Sequence, residues 1–281
     1  MKKLAFFSPL SPLPSGVAVY ADKLAERLAA HWRIIFYLGS AYEPSAAGAL
    51  GEVRLHTEFR GEEDVTLFQA STGPMHAYMY PYILKHGGIV TLHDSTLYDM
   101  VVLYWEGRSR ARFWWDFFMN EGFGGVKRAV APLPKGDGKI SQRIMYNLYT
   151  DEENKRTNFP FLKRVSRRAR GLIAHSRWVA DAARRAGARC PLMVIPLAVE
   201  RAPEWMPSPA ARESLGLEKL GIGPGTFVAL AYGYIQRHKR IEPILEAWSR
   251  FSAETSDAKL LLVGPRSPDL DIDTAIAERK G

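Results

Sequence analysis

The stretch that decides the fold is residues 226–265, TFVALAYGYIQRHKRIEPILEAWSRFSAETSDAKLLLVGP. An apolar run over 227–232 ends at a glycine, and a basic loop follows it. Apolar residues then recur at three- and four-residue spacing over 241–248, which predicts one buried helix face. A second apolar run, 260–263, again ends at a glycine. The pattern predicts strand, loop, helix and strand, which is the β-α-β unit of a parallel sheet.

The N-terminus repeats this arrangement. Residues 4–7 form a buried-strand run, a Pro/Gly loop follows, and VAVYADKLAERLAA predicts a helix with Val19, Leu24 and Leu28 facing inward. RIIFYLG then returns as the next strand. Two such units, one in each half of the chain, predict two similar α/β domains.

A basic loop joins the first strand of the 226–265 stretch to its helix. It carries Arg237, His238, Lys239 and Arg240 directly before the helix. Cationic side chains at the carboxyl end of a parallel strand, beside a helix N-terminus, form an anion site suited to a diphosphate. A solvated loop on an unrelated α/β protein is the competing interpretation.

A histidine–aspartate pair marks the end of another predicted strand. Residues 65–69 and 87–94 read as strands on either side of MHAYMYPYILKH, for which we expect a helix despite Pro81. His93 and Asp94 close the second strand, where open α/β sheets bind ligands. They are therefore candidate catalytic residues, and the alternative for His93 is a purely structural hydrogen bond. For His76 both interpretations stay open, its structural role being a bond to a neighbouring loop.

Together these motifs resemble the retaining glycosyltransferases of the GT-B fold known as glycosyl transferases group 1, family 4. There a strand is followed by G-x-x-x-x-x-K-[GR] and a helix ending in alanine. The matching residues here are Gly233, Lys239, Arg240 and Ala247. The resemblance implies that Lys239 holds the donor diphosphate. Many members have arginine after the glycine, where this chain has Tyr234, so we expect Arg240 or Arg237 to assist.

A bacterial subgroup of the same family shows Q-x-x-N-x-x-x-H and then a strand ending in L-H-D. The matching residues are Gln69, Thr72 (where the subgroup has asparagine), His76, His93 and Asp94. The resemblance implies that His93 lies beside the donor sugar and positions it, and that Asp94 orients the loop. The family's glycine-rich loop facing the donor phosphates is matched in part by Ser15 and Gly16. Ser176, a predicted helix N-cap, matches a turn that lies near the donor in some members.

Composition narrows the class of partner. The 281 residues carry a net charge of +8 with a pI near 9.5, which favours anionic partners. A single cysteine, Cys190, excludes a disulfide framework and fits a reducing compartment. No apolar stretch approaches the roughly 20 residues of a membrane span. No G-x-G-x-x-G follows a strand, which argues against a dinucleotide fingerprint.

The middle of the chain is aromatic and basic. Residues 104–160 predict one or two helices that bury their aromatic side chains over the acceptor side, with a membrane-surface element as the alternative. Glycines and prolines at 122–138 predict a loop. The following helix carries a cluster of four arginines, Arg164, Arg167, Arg168 and Arg170. Because no nucleic-acid motif accompanies them, they predict a solvated face or an anionic-membrane contact.

These observations predict an α/β, GT-B chain with two Rossmann-like parallel-sheet domains. We expect an N-terminal acceptor-side domain at 1–199 with a helical insertion at about 104–160, a hinge linker at 200–225, and the start of a nucleotide-sugar-binding domain at 226–281. The family's second domain is longer and carries an acidic motif, E-x-x-x-x-x-x-x-E, that holds the donor sugar and ribose. Because this motif is missing, we expect the second domain to be incomplete.

The implied activity is transfer of a sugar from a UDP- or GDP-sugar to an acceptor hydroxyl with retention, in cell-envelope or exopolysaccharide synthesis. The resemblance implies no metal and no tightly bound cofactor. Expected partners are the nucleotide sugar and a carbohydrate or lipid-linked acceptor, in the cytoplasm or at the inner face of an anionic membrane, and not nucleic acid. One alternative is a non-catalytic acceptor- or lipid-binding module, or a half-enzyme that needs a separate C-terminal half. The other is a nucleic-acid-binding protein, which only the pI supports.

Overall fold

The computed structural model describes residues 1–132, 139, 144, 147–148, 155–198, 208–236, 239–267 and 270–277. The chain divides into two compact units, Met1–Val199 and Glu200–Gly281. Among the described residues, no helix is long and apolar enough to cross a membrane.

The first unit is built on a seven-stranded sheet in which every neighbouring pair is parallel. Its strand order is β3-β2-β1-β4-β5-β6-β7. The strands are β1 (Lys3–Phe7), β2 (Arg33–Leu38), β3 (Gly51–Leu55), β4 (Val65–Ala70), β5 (Ile89–Leu92), β6 (Gly171–Ala174) and β7 (Leu192–Val194). The sheet and the smaller one in the second unit confirm the predicted α/β class with Rossmann-like parallel sheets. β3 was not predicted from the sequence, because it is a mostly exposed edge strand with no apolar run.

Helices cover the sheet of the first unit. They are α1 (Gly16–Leu28), α2 (Tyr80–His86), α3 (Tyr98–Trp105), α4 (Arg110–Ala129), α5 (Lys155–Asn158), α6 (Lys163–Arg168) and α7 (Arg177–Arg185). Alternate residues of β1 face opposite layers. Leu4 and Phe6 join the cluster packed against α1, whereas Ala5 and Phe7 join the larger cluster on the other face. Burial on both faces explains why the central strands read as continuous apolar runs.

Two details of the predicted helices are wrong. Val19 is 49% exposed, and α1 instead buries Ala18, Ala21 and Ala25, whose small side chains let the helix approach the sheet closely. The segment around Pro81 is not one helix. A 3-10 turn, Pro74–Met79, precedes α2, in which Pro81 occupies the first turn, where a missing N–H costs nothing.

The aromatic segment forms the predicted internal layer. Phe113 and Phe117 are buried by α4, although Trp115 and Phe123 on the same helix are exposed. The loop predicted from residue 122 is wrong as far as residue 129, because α4 continues to Ala129 through a kink at Gly122, whose φ is +64°. Residues 133–138 of that prediction lie outside the described residues.

A buried polar cluster holds this layer together. The Asp116 carboxylate is 1% exposed and accepts hydrogen bonds from the Tyr80 hydroxyl at 2.8 and 2.9 Å and from the Trp105 indole at 2.8 Å. Arg164 forms an ion pair with it. The predicted solvated face holds for Arg167, Arg168 and Arg170, which are exposed. It is wrong for Arg164, which is 29% exposed and faces Asp116.

The second unit contains a two-stranded parallel sheet. Its elements are α8 (Ser208–Ser214), β8 (Phe227–Tyr232), α9 (Ile241–Glu254), β9 (Ala258–Val263) and α10 (Ile272–Ala277). Both predicted strands and the helix between them are present. Ile241 and Leu245 of α9 are buried against Leu270, Ile272 and Ala275.

The glycines that follow β8 and β9 lie in close contact with each other. Gly264 has a φ of +147°, and a Cβ atom built there would lie 2.0 Å from the Gly233 carbonyl oxygen. Only glycine fits at position 264, and Gly233 has a φ of +121°, a conformation that other residues rarely adopt.

Candidate functional site

The candidate residues of the first unit gather at the carboxyl edge of its sheet. The chain runs from β1 outward through β2 and β3, and then returns to β4 on the other side of β1. This reversal of strand order is the position at which open α/β sheets form a ligand crevice. Ser71 and Thr72 follow β4, His93 and Asp94 follow β5, and His175 follows β6.

His93 lies in a small aromatic cluster. Its ring centroid is 4.8 Å from that of His175 and 5.1 Å from that of Tyr20, and the Tyr20 and His175 rings are 5.0 Å apart. Leu92 pairs with Ala174 in the sheet, so the residues that follow them are neighbours. Tyr20 comes from α1, one helical turn after Gly16.

The His93 imidazole is neutral at physiological pH. Burial, together with the nearby His175 and His76, lowers its pKa to about 3. Its Nε2 lies 2.9 Å from the Oε1 atom of Gln69, so Nε2 carries the proton and donates. A neutral ring with a fixed orientation is suited to positioning a substrate rather than to supplying a full positive charge.

Gln69 and His76 form a chain of hydrogen bonds that leads to His93. Gln69 is fully buried, and its backbone carbonyl accepts a 2.8 Å hydrogen bond from Nδ1 of His76. His76 is 2% exposed, and burial lowers its pKa to about 4. His76 thus bonds to the backbone of β4 rather than to a neighbouring loop, and Gln69 connects it to His93.

Asp94 joins two of the loops at the edge of the sheet. Its Oδ2 accepts hydrogen bonds from the Ser71 hydroxyl at 2.5 Å and from the Thr72 backbone N–H at 3.0 Å. Thr72 in turn bonds to Asp99, whose carboxylate lies 2.7 Å from Arg156. Asp94 therefore holds the loop after β4 against the loop after β5.

The two predicted helix starts have different surroundings. Ser15 is the N-cap of α1, and its hydroxyl accepts from the Val17 N–H at 3.2 Å. No atom lies within 4 Å of a Cβ built at Gly16, so the fold itself does not require glycine there. Its bare backbone leaves the start of α1 open to a ligand. Ser176 caps α7 by accepting from the Val179 N–H at 3.3 Å, as predicted.

His175 and Tyr20 were not among the predicted site residues, although His175 lies in the turn that the sequence analysis matched through Ser176. His175 Nδ1 lies 2.9 Å from the Ile195 carbonyl, and its buried Nε2 has no hydrogen-bond partner among the described residues. A signal for His175 was available, because it follows β6 as His93 follows β5. Tyr20 had no such signal, since its contacts span more than 70 residues of sequence.

In the second unit, Lys239 and Arg240 lie at the start of α9. Both side chains are exposed, and Arg240 is the N-cap residue with a left-handed φ of +60°. Among the described residues no side chain caps the helix, and the positive end of its dipole lies beside these two cations. This arrangement is suited to an anion such as a diphosphate. Arg237 lies outside the described residues.

Resident metal ions have no evident ligand set in the part of the chain that the structure describes. It contains no group of three or more His, Cys, Asp or Glu side chains able to hold one.

Comparison with known proteins gives a likeness of structure alone. No protein-family model and no curated protein matches the chain. Among solved structures, the chain is similar to Anabaena Alr3699/HepE in complex with UDP-glucose, with a TM-score of 0.47 and 14% sequence identity. The match covers 99% of this chain and 64% of that chain. A likeness at this level bears on neither substrate nor mechanism.

Proposed function

We propose that the chain is a glycosyltransferase that moves a sugar from a UDP- or GDP-sugar to an acceptor hydroxyl with retention of anomeric configuration. The observation that carries this proposal is the crevice edge of the first unit. There, a neutral and oriented His93 packs against Tyr20, which lies one helical turn after Gly16 at the open start of α1. The motifs that resemble family 4 supply the reaction class, and cell-envelope or exopolysaccharide synthesis is the proposed setting.

Each unit has a distinct role in this proposal. Lys239 and Arg240, at the N-terminal end of α9, bind the donor diphosphate and stabilise the negative charge that it gains on leaving. The bond between the anomeric carbon and the diphosphate oxygen breaks, and the diphosphate keeps the electron pair. The acceptor oxygen then bonds to the anomeric carbon on the same face and passes its proton to the departing diphosphate. No metal is needed where cationic side chains supply the charge.

His93 is proposed to position the donor sugar. Nε2 donates to Gln69, which leaves Nδ1 as a hydrogen-bond acceptor, and no described residue bonds to it. A sugar hydroxyl that donates to Nδ1 is held without any change in the charge of the ring. Asp94 keeps the adjoining loops in place, and Gly16 lets the ligand approach the backbone.

Nucleotide binding tests the diphosphate part of the proposal. Calorimetric titration of the purified chain with UDP and with GDP identifies the base. We expect Lys239→Ala to weaken binding by about 10- to 100-fold, the worth of a hydrogen bond to a charged group. Lys239→Arg retains most of the affinity. Lys219→Ala, which removes an equally exposed lysine of the second unit, is the matched control.

Turnover tests the reaction class. Release of the nucleoside diphosphate from UDP- and GDP-sugars is measured with and without acceptors, and NMR of the product reports its anomeric configuration. An inverted product would refute retention alone. If neither nucleotide binds and no donor is consumed, the glycosyltransferase proposal is wrong.

One observation favours the second candidate, a non-catalytic binding module or a half-enzyme that needs a separate C-terminal half. The small sheet of the second unit leaves large apolar side chains exposed, among them Leu230 at 61% and Tyr232 at 86%. A partner polypeptide could cover this surface. Binding of an acceptor-bearing vesicle by a chain that binds neither nucleotide would select this candidate.

A further inference from the structure

A second groove opens at the carboxyl edge of the first unit's sheet. It has a volume of about 600 Å³, within the range of small-molecule sites. Its lining includes Pro9 after β1, Gly39 and Ser40 after β2, His56 after β3 and Pro74 after β4. It shares no residue with the His93 cluster, which follows β5 and β6. The groove therefore lies at the ends of strands β1 to β4, whereas the His93 cluster lies at the ends of β5 and β6.

Five of the fifteen residues that line this groove carry aromatic rings. Four tyrosines and one histidine contribute to it: Tyr42, Tyr78, Tyr82, Tyr104 and His56. Arg108 is the one Lys, Arg, Asp or Glu residue among the lining residues. Its guanidinium lies over the Tyr104 ring, 4.5 Å from the centroid, and donates to the Tyr104 carbonyl. Arg108 is thus already engaged.

The Tyr78 ring is held in a fixed orientation. Its hydroxyl donates to the Tyr37 carbonyl at 2.8 Å. A Cβ atom built at Gly39 would lie 2.7 Å from a ring carbon of Tyr78, so only a glycine at position 39 leaves room for the ring. Rings fixed before binding lose little entropy when a ligand stacks on them.

Tyr82 and His56 form the other wall of the groove. The Tyr82 hydroxyl lies 3.0 Å from Nδ1 of His56, and the His56 ring packs 5.1 Å from Tyr78 and 5.6 Å from Tyr82 between centroids. Burial lowers the pKa of His56, so its ring is neutral at physiological pH. Neither wall carries a formal charge.

We propose that this groove binds an uncharged sugar ring of the acceptor. The C–H face of a pyranose stacks on the electron-rich faces of the tyrosines, while sugar hydroxyls bond to Ser40 and His56. A groove with one engaged arginine lacks the cations that a phosphorylated acceptor needs. This inference rests on the proposed function and names its acceptor as a neutral glycan.

Binding to a glycan array tests the inference without any donor. The purified chain is applied to an array that carries neutral, uronic-acid and phosphorylated glycans, and hits are confirmed by saturation-transfer NMR. We expect neutral glycans to bind, with dissociation constants of about 1 mM for a single ring. Binding to charged glycans only, or to none, overturns the inference.

Variants locate the binding on the molecule. Ser40 is exposed and outside the core, so Ser40→Trp fills the groove without disturbing the fold. Ser40→Ala removes only one hydrogen bond to the sugar and should weaken glycan binding much less than Ser40→Trp. We expect Ser40→Trp to abolish glycan binding. Tyr82→Leu should weaken it about tenfold and Tyr82→Phe less than threefold, because the ring rather than the hydroxyl does the stacking. Unchanged glycan binding by Ser40→Trp places the glycan elsewhere and refutes the groove.

The two proposals can fail separately. Loss of glycan binding in Ser40→Trp with normal UDP or GDP binding supports the groove independently of catalysis. Nucleotide turnover by a chain that binds no neutral glycan refutes the groove and leaves the glycosyltransferase proposal intact.

Discussion

Replacing Asp116 by alanine should destabilise the first unit far more than the loss of a surface ion pair. Asp116 is 1% exposed and joins α4 to α2, α3 and α6 through Tyr80, Trp105 and Arg164. Its removal leaves two neutral donors and one cation without their acceptor. Asn120 still donates to the Tyr80 hydroxyl at 3.1 Å, but its Oδ1 already accepts from the Arg164 backbone N–H and does not replace the carboxylate.

The expected cost follows from these contacts. Each neutral donor left without a partner costs about 1 kcal/mol at the low end. Breaking a buried ion pair costs about 3–5 kcal/mol, and the lower end applies here because Arg164 is 29% exposed and can be rehydrated. Partial relaxation of the site reduces the sum, so we expect a loss of about 4 kcal/mol in the free energy of unfolding.

Urea unfolding followed by tryptophan fluorescence measures this cost, since five of the seven tryptophans belong to the first unit. A loss of this size should lower the urea midpoint by about 1–2 M. Asp181→Ala is the matched control, because Asp181 is 53% exposed and pairs with Arg184 on the surface of α7. It should cost no more than about 1 kcal/mol. Equal costs for the two variants would refute the view that the buried cluster secures the helical layer.

Three further outcomes are expected. Gly16→Ala should leave the free energy of unfolding within about 0.5 kcal/mol yet weaken UDP or GDP binding in calorimetry; unchanged affinity would rule out close approach of the ligand. Stability should be full above pH 6.5 and fall as the pH drops towards 4, by up to about 1.4 kcal/mol per pH unit for each of His93 and His76. Folding lowers both pKa values, so the unfolded chain binds more protons than the folded chain over this range. Urea unfolding at several pH values should show a free energy of unfolding that falls less steeply with decreasing pH in His93→Gln. Gly264→Ala should raise hydrogen exchange throughout β8 and β9. Gly233→Ala should cost only about 1–3 kcal/mol of backbone strain, because no described residue lies within 4 Å of the added Cβ. Equal hydrogen exchange in the two variants would contradict the close contact between Gly264 and Gly233.

Much of the fold was predictable because its patterns are local. Central strands buried on both faces produce apolar runs, so β1, β2, β4 and β5 were found. β8 and β9 are more exposed, but each is an apolar run that ends at a glycine. The exposed edge strand β3 produces no such run. Inside α1, periodicity predicted Val19 to be buried, whereas close packing on the sheet selected the alanines.

The candidate site was predictable in part. His93, Asp94 and Lys239 lie at strand or helix ends, which can be recognised from the sequence alone. The partners of these residues are not visible there, since the Tyr20 contact with His93 and the Asp94 bond to Ser71 join distant segments. Their roles in catalysis stay predictions.

The sequence by itself determined the parallel α/β class, the position of His93 and Asp94 at a strand end and the basic start of α9. Tertiary structure alone decided that His93 is neutral and oriented by Gln69, that Arg164 serves a buried aspartate, and that four tyrosines line one groove. The physical reason is the distance along the sequence over which each interaction acts. Hydrophobic periodicity and helix capping act over a few residues, whereas desolvation, ion pairing and ring packing depend on which distant segments the fold brings together.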